Sequence, residues 1–195
     1  MGKIKLNIPR ILITILFIFA SIQAYAANCP IKIGGLAPLS APGSVTGGEA
    51  MREAMLLAER DINAKGGVLG CDIDVVITDT EGLPEKAAAM MQKLITQDGV
   101  VAVGGGYHSS VGVASKDVAN SRGIPVVFAE TWNDTITGDM QKYIFRIAPL
   151  SSWASGVIWK FAAQAPGVKS VVIVTENTDY GIPAAEECAK GLSSK

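Results

Sequence analysis

The sequence predicts a doubly wound α/β fold on a parallel sheet. Three observations carry that expectation. Short apolar runs recur without polar alternation, which marks strands covered on both faces. Each run is followed by a stretch whose apolar residues fall at helical spacing. Glycines stand where those helical stretches end, as the left-handed conformation beyond a helix requires.

The elements follow in order. Residues 31–37 read as a buried strand, and 38–48 as a loop rich in Pro, Gly and Ser. Met51, Ala54, Met55, Ala58 and Ile62 then line one helical face, and Gly66 and Gly67 stop the helix. A second strand is expected at 72–79. Pro84 suits a first helical position, and Ala87, Met91, Leu94 and Ile95 form the next apolar stripe up to Asp98 and Gly99. A third strand at 100–103 runs into Gly104, Gly105 and Gly106. Ser109 or Ser110 can cap a helix that reaches about Ser121, with Gly123 beyond it. A fourth strand at 124–128, a polar loop at 130–139 and a short fifth strand at 143–147 complete a sheet with right-handed crossovers. A helix at 153–165, a very apolar sixth strand at 170–175 and a helix at 184–192 remain. That last strand either joins the first sheet at its edge or opens a second domain, and the second alternative is the expectation.

The first 26 residues differ from the rest. Lys3, Lys5 and Arg10 precede an apolar run at 11–20, and Ala24 and Ala26 flank Tyr25. This is the pattern of a secretory signal peptide cut after Ala26. The apolar run is about half of the roughly 20 residues that span a bilayer. Lipid attachment at Cys29 is the weaker alternative, because Asn28 stands where a small residue is wanted. Three of the 17 basic residues and none of the 18 acidic ones lie in this leader, so the remainder carries 14 against 18, a net charge of −4. Mild acidity, with no cluster of Lys and Arg among aromatics, argues against a nucleic-acid partner. One histidine and no cysteine spacing of the zinc type leave no metal or cofactor expected.

In open parallel sheets, ligands bind beyond the carboxyl ends of the strands. That rule selects the loops at 38–48, 104–110, 129–139 and 176–180. In the second of these, glycines allow close backbone approach, and Ser109 and Ser110 stand at a helix start that favours an anion such as a carboxylate. The plainer alternative is that the two serines only cap the helix. The G-x-G-x-x-G and Gly-Lys-Ser/Thr spacings are both missing. His108 beside Ser109 does not make a hydrolase, since adjacent residues rarely meet in that geometry and no G-x-S-x-G occurs; no enzyme is expected. Glu130 and Thr131 can offer a carboxylate and a hydroxyl to an ammonium, the alternative being a solvated loop with Trp132 packed beneath it. Tyr180, ahead of Gly181, can stack on a ligand.

Cys29 and Cys71 lie just before the first two strands. In a sheet of order 2-1-3-4-5 those strands are parallel neighbours, so a disulfide between their starts is expected, stabilising by about 4 kcal/mol on the chain-entropy view. Cys188 is left over.

These features resemble the leucine/isoleucine/valine-binding family of type I periplasmic binding proteins, which serve ABC transporters. The most specific text is Ala58-Glu59-Arg60-Asp61-Ile62-Asn63-Ala64-Lys65-Gly66-Gly67-Val68-Leu69-Gly70, followed by the strand ending at Asp79. Gly106 to Ser110, Gly123 to Val126, Tyr143 to Arg146 and Asn177 to Gly181 support it. The resemblance implies two α/β lobes closing on a ligand in the cleft. Residues 27–150 would form the first lobe, and 151–195 the hinge crossing and an incomplete second lobe, since members are about twice this long. It further implies Ser109 and Ser110 on a ligand carboxylate, the Glu130–Thr131 region on an amino group, and Tyr180 as an aromatic lid. Amino-acid binders often carry an aromatic residue near the end of the first loop, where this chain has Thr46, Gly47 and Gly48. Amides, urea-like compounds and aromatic acids therefore join branched-chain amino acids as expected ligands. A monomer and a membrane permease as partner are also implied. A sensory or receptor module of the same fold is the alternative, whereas a repressor would open with a DNA-binding helix-turn-helix.

Overall fold

The computed structural model describes residues 29–194. The expected signal peptide and its cleavage site after Ala26 lie outside the described residues. β1 (Ile31–Ala37) is followed by α1 (Val45–Asn63), β2 (Ile73–Asp79) and α2 (Pro84–Lys93), which ends in a π turn at Leu94–Asp98. β3 (Ala102–Gly105), α3 (Ser109–Ser121), β4 (Val126–Phe128), a short α4 (Thr135–Gly138) and β5 (Ile144–Arg146) come next. α5 (Ser151–Gln164) and α6 (Gly181–Ser193) close the order.

The sheet has the order β2-β1-β3-β4-β5 and every pairing is parallel. β1 is the pivot: Ile33 lies opposite Val75 on one side and Ala102 on the other. The strand order reverses there, which opens a crevice at the carboxyl ends of β1 and β3. Leu36, Met91, Leu94, Val103, Val111, Val126 and Phe128 are buried in one core between the sheet and the helices α2 and α3. On the opposite face α1 covers β1 and β2, so closely that a Cβ on Gly35 would stand 2.7 Å from Met55 Sδ. Val127 and Phe145, farther along that face, stay 43% and 51% exposed.

Several boundaries differ from expectation. α1 begins at Val45, well before Met51, so the first loop is shorter and Thr46, Gly47 and Gly48 lie in the first helical turn. A Cβ on Gly48 would lie 1.8 Å from the Pro38 carbonyl oxygen, so the helix can start this close to β1 only on glycine. β3 runs from 102 to 105 and takes in Gly104 and Gly105, which the sequence assigned to a loop.

The sixth strand is the main correction. Residues 170–175 carry no strand. Their burial still alternates, with Val172 and Val174 at 86% and 92% exposure against 44% and 38% for Val171 and Ile173. A strand is defined by its ladder, and no neighbouring strand lies beside this segment among the described residues; it lines an open cavity together with residues of α5 and α6.

Cys29 and Cys71 form the expected disulfide, with Cα atoms 5.2 Å apart at the starts of β1 and β2. Cys188 is a free, buried thiol whose Sγ faces the Ser155 carbonyl at 3.6 Å.

Candidate functional site

A cavity of about 440 Å³ opens at the carboxyl ends of the strands. Five loops build it: the four that the strand-end rule selects from the sequence and the one after β2, which supplies Gly82.

The turn after β3 forms its floor. Gly105 and Gly106 have φ of +100° and +81°, and a Cβ on them would meet the Leu36 carbonyl at 2.4 Å and the Phe128 ring at 2.8 Å. Only glycine allows that path, which brings Tyr107, His108, Ser109 and Ser110 to the cavity wall. Neither serine caps α3: the residue at the cap position is His108, in extended backbone and without a side-chain cap bond. Ser109 Oγ instead accepts the backbone N–H groups of Trp132 and Asn133 at 3.1 and 3.2 Å, so it ties the loop after β4 to the start of α3. A hydroxyl that accepts two bonds keeps its own proton to donate toward the cavity. Ser109 is 3% exposed, and Ser110 stands partly open beside it.

The loop after β4 forms the second wall. Glu130 and Trp132 line the cavity, and Trp132 Nε1 donates to Glu130 Oε2 at 3.0 Å. Thr131 departs from expectation. It is fully buried, lies outside the cavity wall, and packs its methyl toward Gly112, with Oγ1 left without a partner. Burial alternates along the loop, with Glu130 exposed, Thr131 buried and Trp132 partly open, so the neighbours Glu130 and Thr131 lie on different sides of the chain. Arg146 pins this loop from below, donating from Nη1 to the carbonyls of Trp132 and Asn133 at 3.3 and 3.0 Å. Ser151 N, at the start of α5, donates to the Trp132 carbonyl at 2.8 Å.

The third wall comes from 176–180. Thr178 Oγ1 accepts the N–H groups of Tyr180 and Gly181 at 3.2 Å each and donates to Glu176 Oε1 at 2.8 Å, which orients the carboxylate and starts α6. Asn133 Nδ2 donates to the Asp179 carbonyl and so joins this loop to the one after β4. Tyr180 meets Trp132 edge to face, with centroids 6.3 Å apart and planes at 88°.

Ser44 and Gly82 complete the rim. Asp79, at the end of β2, organises it: Oδ1 accepts from Leu39 N and Glu81 N at 2.7 and 2.9 Å, and Oδ2 from Ser40 Oγ. Burial works against its charge, but the bonds from Ser40, Glu81 and Leu39 outweigh it and hold the carboxyl below its usual pKa. Burial lowers the His108 pKa below its ordinary value, and the Glu176 carboxylate offsets that only in part, so the imidazole is neutral near pH 7. His108 Nδ1 is buried without a partner, against Gly82.

The structure thus brings Ser109, Ser110, Glu130 and Tyr180 to one cavity and leaves Thr131 behind it. Tyr107, Trp132, Glu176 and Thr178 were missed as wall residues. Trp132 in a polar loop beside Glu130 was the one usable signal. Among the described residues, no group of three His, Cys, Asp or Glu could hold a metal ion.

The chain is similar to known proteins along nearly its whole described length. A Pseudomonas aeruginosa protein, the leucine-, isoleucine-, valine-, threonine- and alanine-binding protein, is 30% identical over 88% of this chain and 45% of its own. The isoleucine complex of the substrate-binding protein LivJ from Streptococcus pneumoniae superposes with a TM-score of 0.75 at 31% identity, covering 83% of this chain and 46% of that one. A solute-binding protein of an ABC transporter from R. palustris, in complex with benzoate, gives 0.74 at 26% identity over 84% and 45%. The chain spans about half the length of the curated relatives it matches. Residues 30–195 match the periplasmic binding protein family, a stretch that includes every strand and helix described above, and the chain belongs to that family.

Proposed function

We propose that this chain is part of an extracytoplasmic solute-binding protein that hands a small polar metabolite to the permease of an ABC-type importer without altering it. The cavity carries this proposal. Ser109, a bonded hinge between two loops, and Tyr180, an aromatic edge from a later segment, close on one space of metabolite size. The isoleucine and benzoate complexes of similar proteins support a small organic solute, the size of an amino acid or an aromatic acid, as the cargo. Residues 27–150 make up the first lobe and 151–195 the crossing into a second, with Ser109, Ser110, Glu130 and Tyr180 as ligand contacts and Thr131 as support for the wall. The basic, apolar, Ala-x-Ala leader supports export and removal of residues 1–26.

A thermal-shift screen of amino acids, amides, amines and aromatic acids tests this. At least one compound is expected to raise the unfolding midpoint. Ser109→Ala should abolish most of that rise, because it orphans two backbone N–H groups, at a cost of about 1–3 kcal/mol. Secreted material should begin at Ala27 by mass spectrometry. No shift with any class, or cytosolic protein that retains Met1, would refute the proposal.

A further inference from the structure

The charges and the rings around the cavity point to one class of cargo. Two carboxylates, Glu130 and Glu176, line the space, and no lysine or arginine is among the described residues that line it. Both carboxylates are exposed, and each is oriented by a single neutral donor, Trp132 Nε1 on Glu130 and Thr178 Oγ1 on Glu176. A carboxylate accepts about four bonds, so most of that capacity stays unused. Trp132 and Tyr180 line the same space, their rings set at right angles to each other. Their faces carry negative charge density, which attracts a cation most strongly where water is excluded. The one titratable base in the wall is His108, and as a neutral ring it adds no positive charge.

We infer that the cavity selects an organic cation of net positive charge, an amine, amidine or quaternary ammonium seated against Trp132 and Tyr180 with Glu130 and Glu176 beside it. The inference rests on the proposal that this cavity is the solute site. Among the described residues, the charge balance of the wall distinguishes small polar molecules. An aromatic acid brings a third negative charge to a wall that already holds two. A zwitterionic amino acid leaves the pair uncompensated. A net cation offsets one of them and uses the ring faces as well. The free N–H groups at the start of α3 remain for a carbonyl or hydroxyl of the same molecule. A metal cation does not fit, since no cluster of three ligating side chains lies among the described residues.

Two pairs of matched probes test the charge alone. Isoleucinamide and isoleucine share a side chain, as benzylamine and benzoate share a ring, and each pair differs in net charge. Calorimetry on the full chain should show the cationic member of each pair binding about tenfold more tightly. The advantage should shrink in high salt. Glu130→Gln combined with Glu176→Gln keeps shape and folding, since both side chains are exposed, and should erase the difference within each pair. Equal or tighter binding of isoleucine and benzoate overturns the charge assignment and leaves the solute-binding function standing. Retention of the preference in the double variant overturns it as well. No binding of either cationic probe also overturns the charge assignment, whereas the solute-binding function falls only if the wider thermal-shift screen shows no shift with any class.

Discussion

Gly47 and Tyr107 show how one residue can set a cavity wall. A Cβ on Gly47 would lie 2.3 Å from the Tyr107 ring, so the ring occupies the space that a side chain on the first loop would fill. Where similar amino-acid binders are expected to place an aromatic on that loop, this chain supplies one from the turn after β3. Gly47→Ala follows from this geometry. In an open helical turn alanine would be favoured over glycine by up to about 1 kcal/mol. Here the obstacle is the outer edge of a ring, which can swing, so stability should change by less than about 1 kcal/mol. The cavity wall is what moves, and affinity for any ligand that shifts the melting point should fall about tenfold. In a Tyr107→Ala background the same substitution should have no further effect, which a double-mutant cycle measures. Gly48 has no such freedom, because its obstacle is the Pro38 backbone at 1.8 Å.

At the scale of elements, Asp79 joins the exits of β1 and β2. It holds Leu39 and Ser40 from one loop and Glu81 from the other. Its folded pKa lies below the ordinary 3.8, so the unfolded chain binds the proton more readily. Its stabilisation is therefore complete above pH 3.8 and is lost as pH falls through the lower folded value. Urea midpoints of the wild type and Asp79→Asn should differ by a constant amount from pH 7 to about 5 and converge below pH 3.8. A gap that widens on acidification would contradict the assignment. The alternation along 130–132 belongs to the same scale: it sends Glu130 and Trp132 to the cavity and Thr131 to α3. Sequence reasoning grouped Glu130 with Thr131 because adjacency in the chain is visible and direction is not.

For the whole molecule, the Cys29–Cys71 bond closes a loop across 42 positions that contains all of β1, α1 and the turn into β2. Cross-linking restricts the unfolded chain, by about 4 kcal/mol for a loop of this size. Replacing both cysteines with alanine should lower global stability by that order, with the pairing of β1 and β2 retained. An unchanged denaturation midpoint would show that the bond adds nothing to stability. The sheet itself is covered unevenly, with a dense core on the α2 and α3 side and Val127 and Phe145 open on the other. Residues 170–175 share that condition.

The sequence by itself determined the order of the first five strands and their helices, the parallel sheet, the disulfide and four of the five loops at the ligand end. These depend on hydrophobic period, glycine punctuation and the handedness of crossovers, all of which act over short stretches of chain. Tertiary structure alone decided that Ser109 would clamp the loop after β4 and that Tyr107 would fill the gap at Gly47. It also brought Glu176 to the same cavity as Glu130 and left 170–175 without a ladder. Each of those outcomes requires groups distant in the chain to meet at a few ångströms, and a pattern along one strand of text holds no information about such distances.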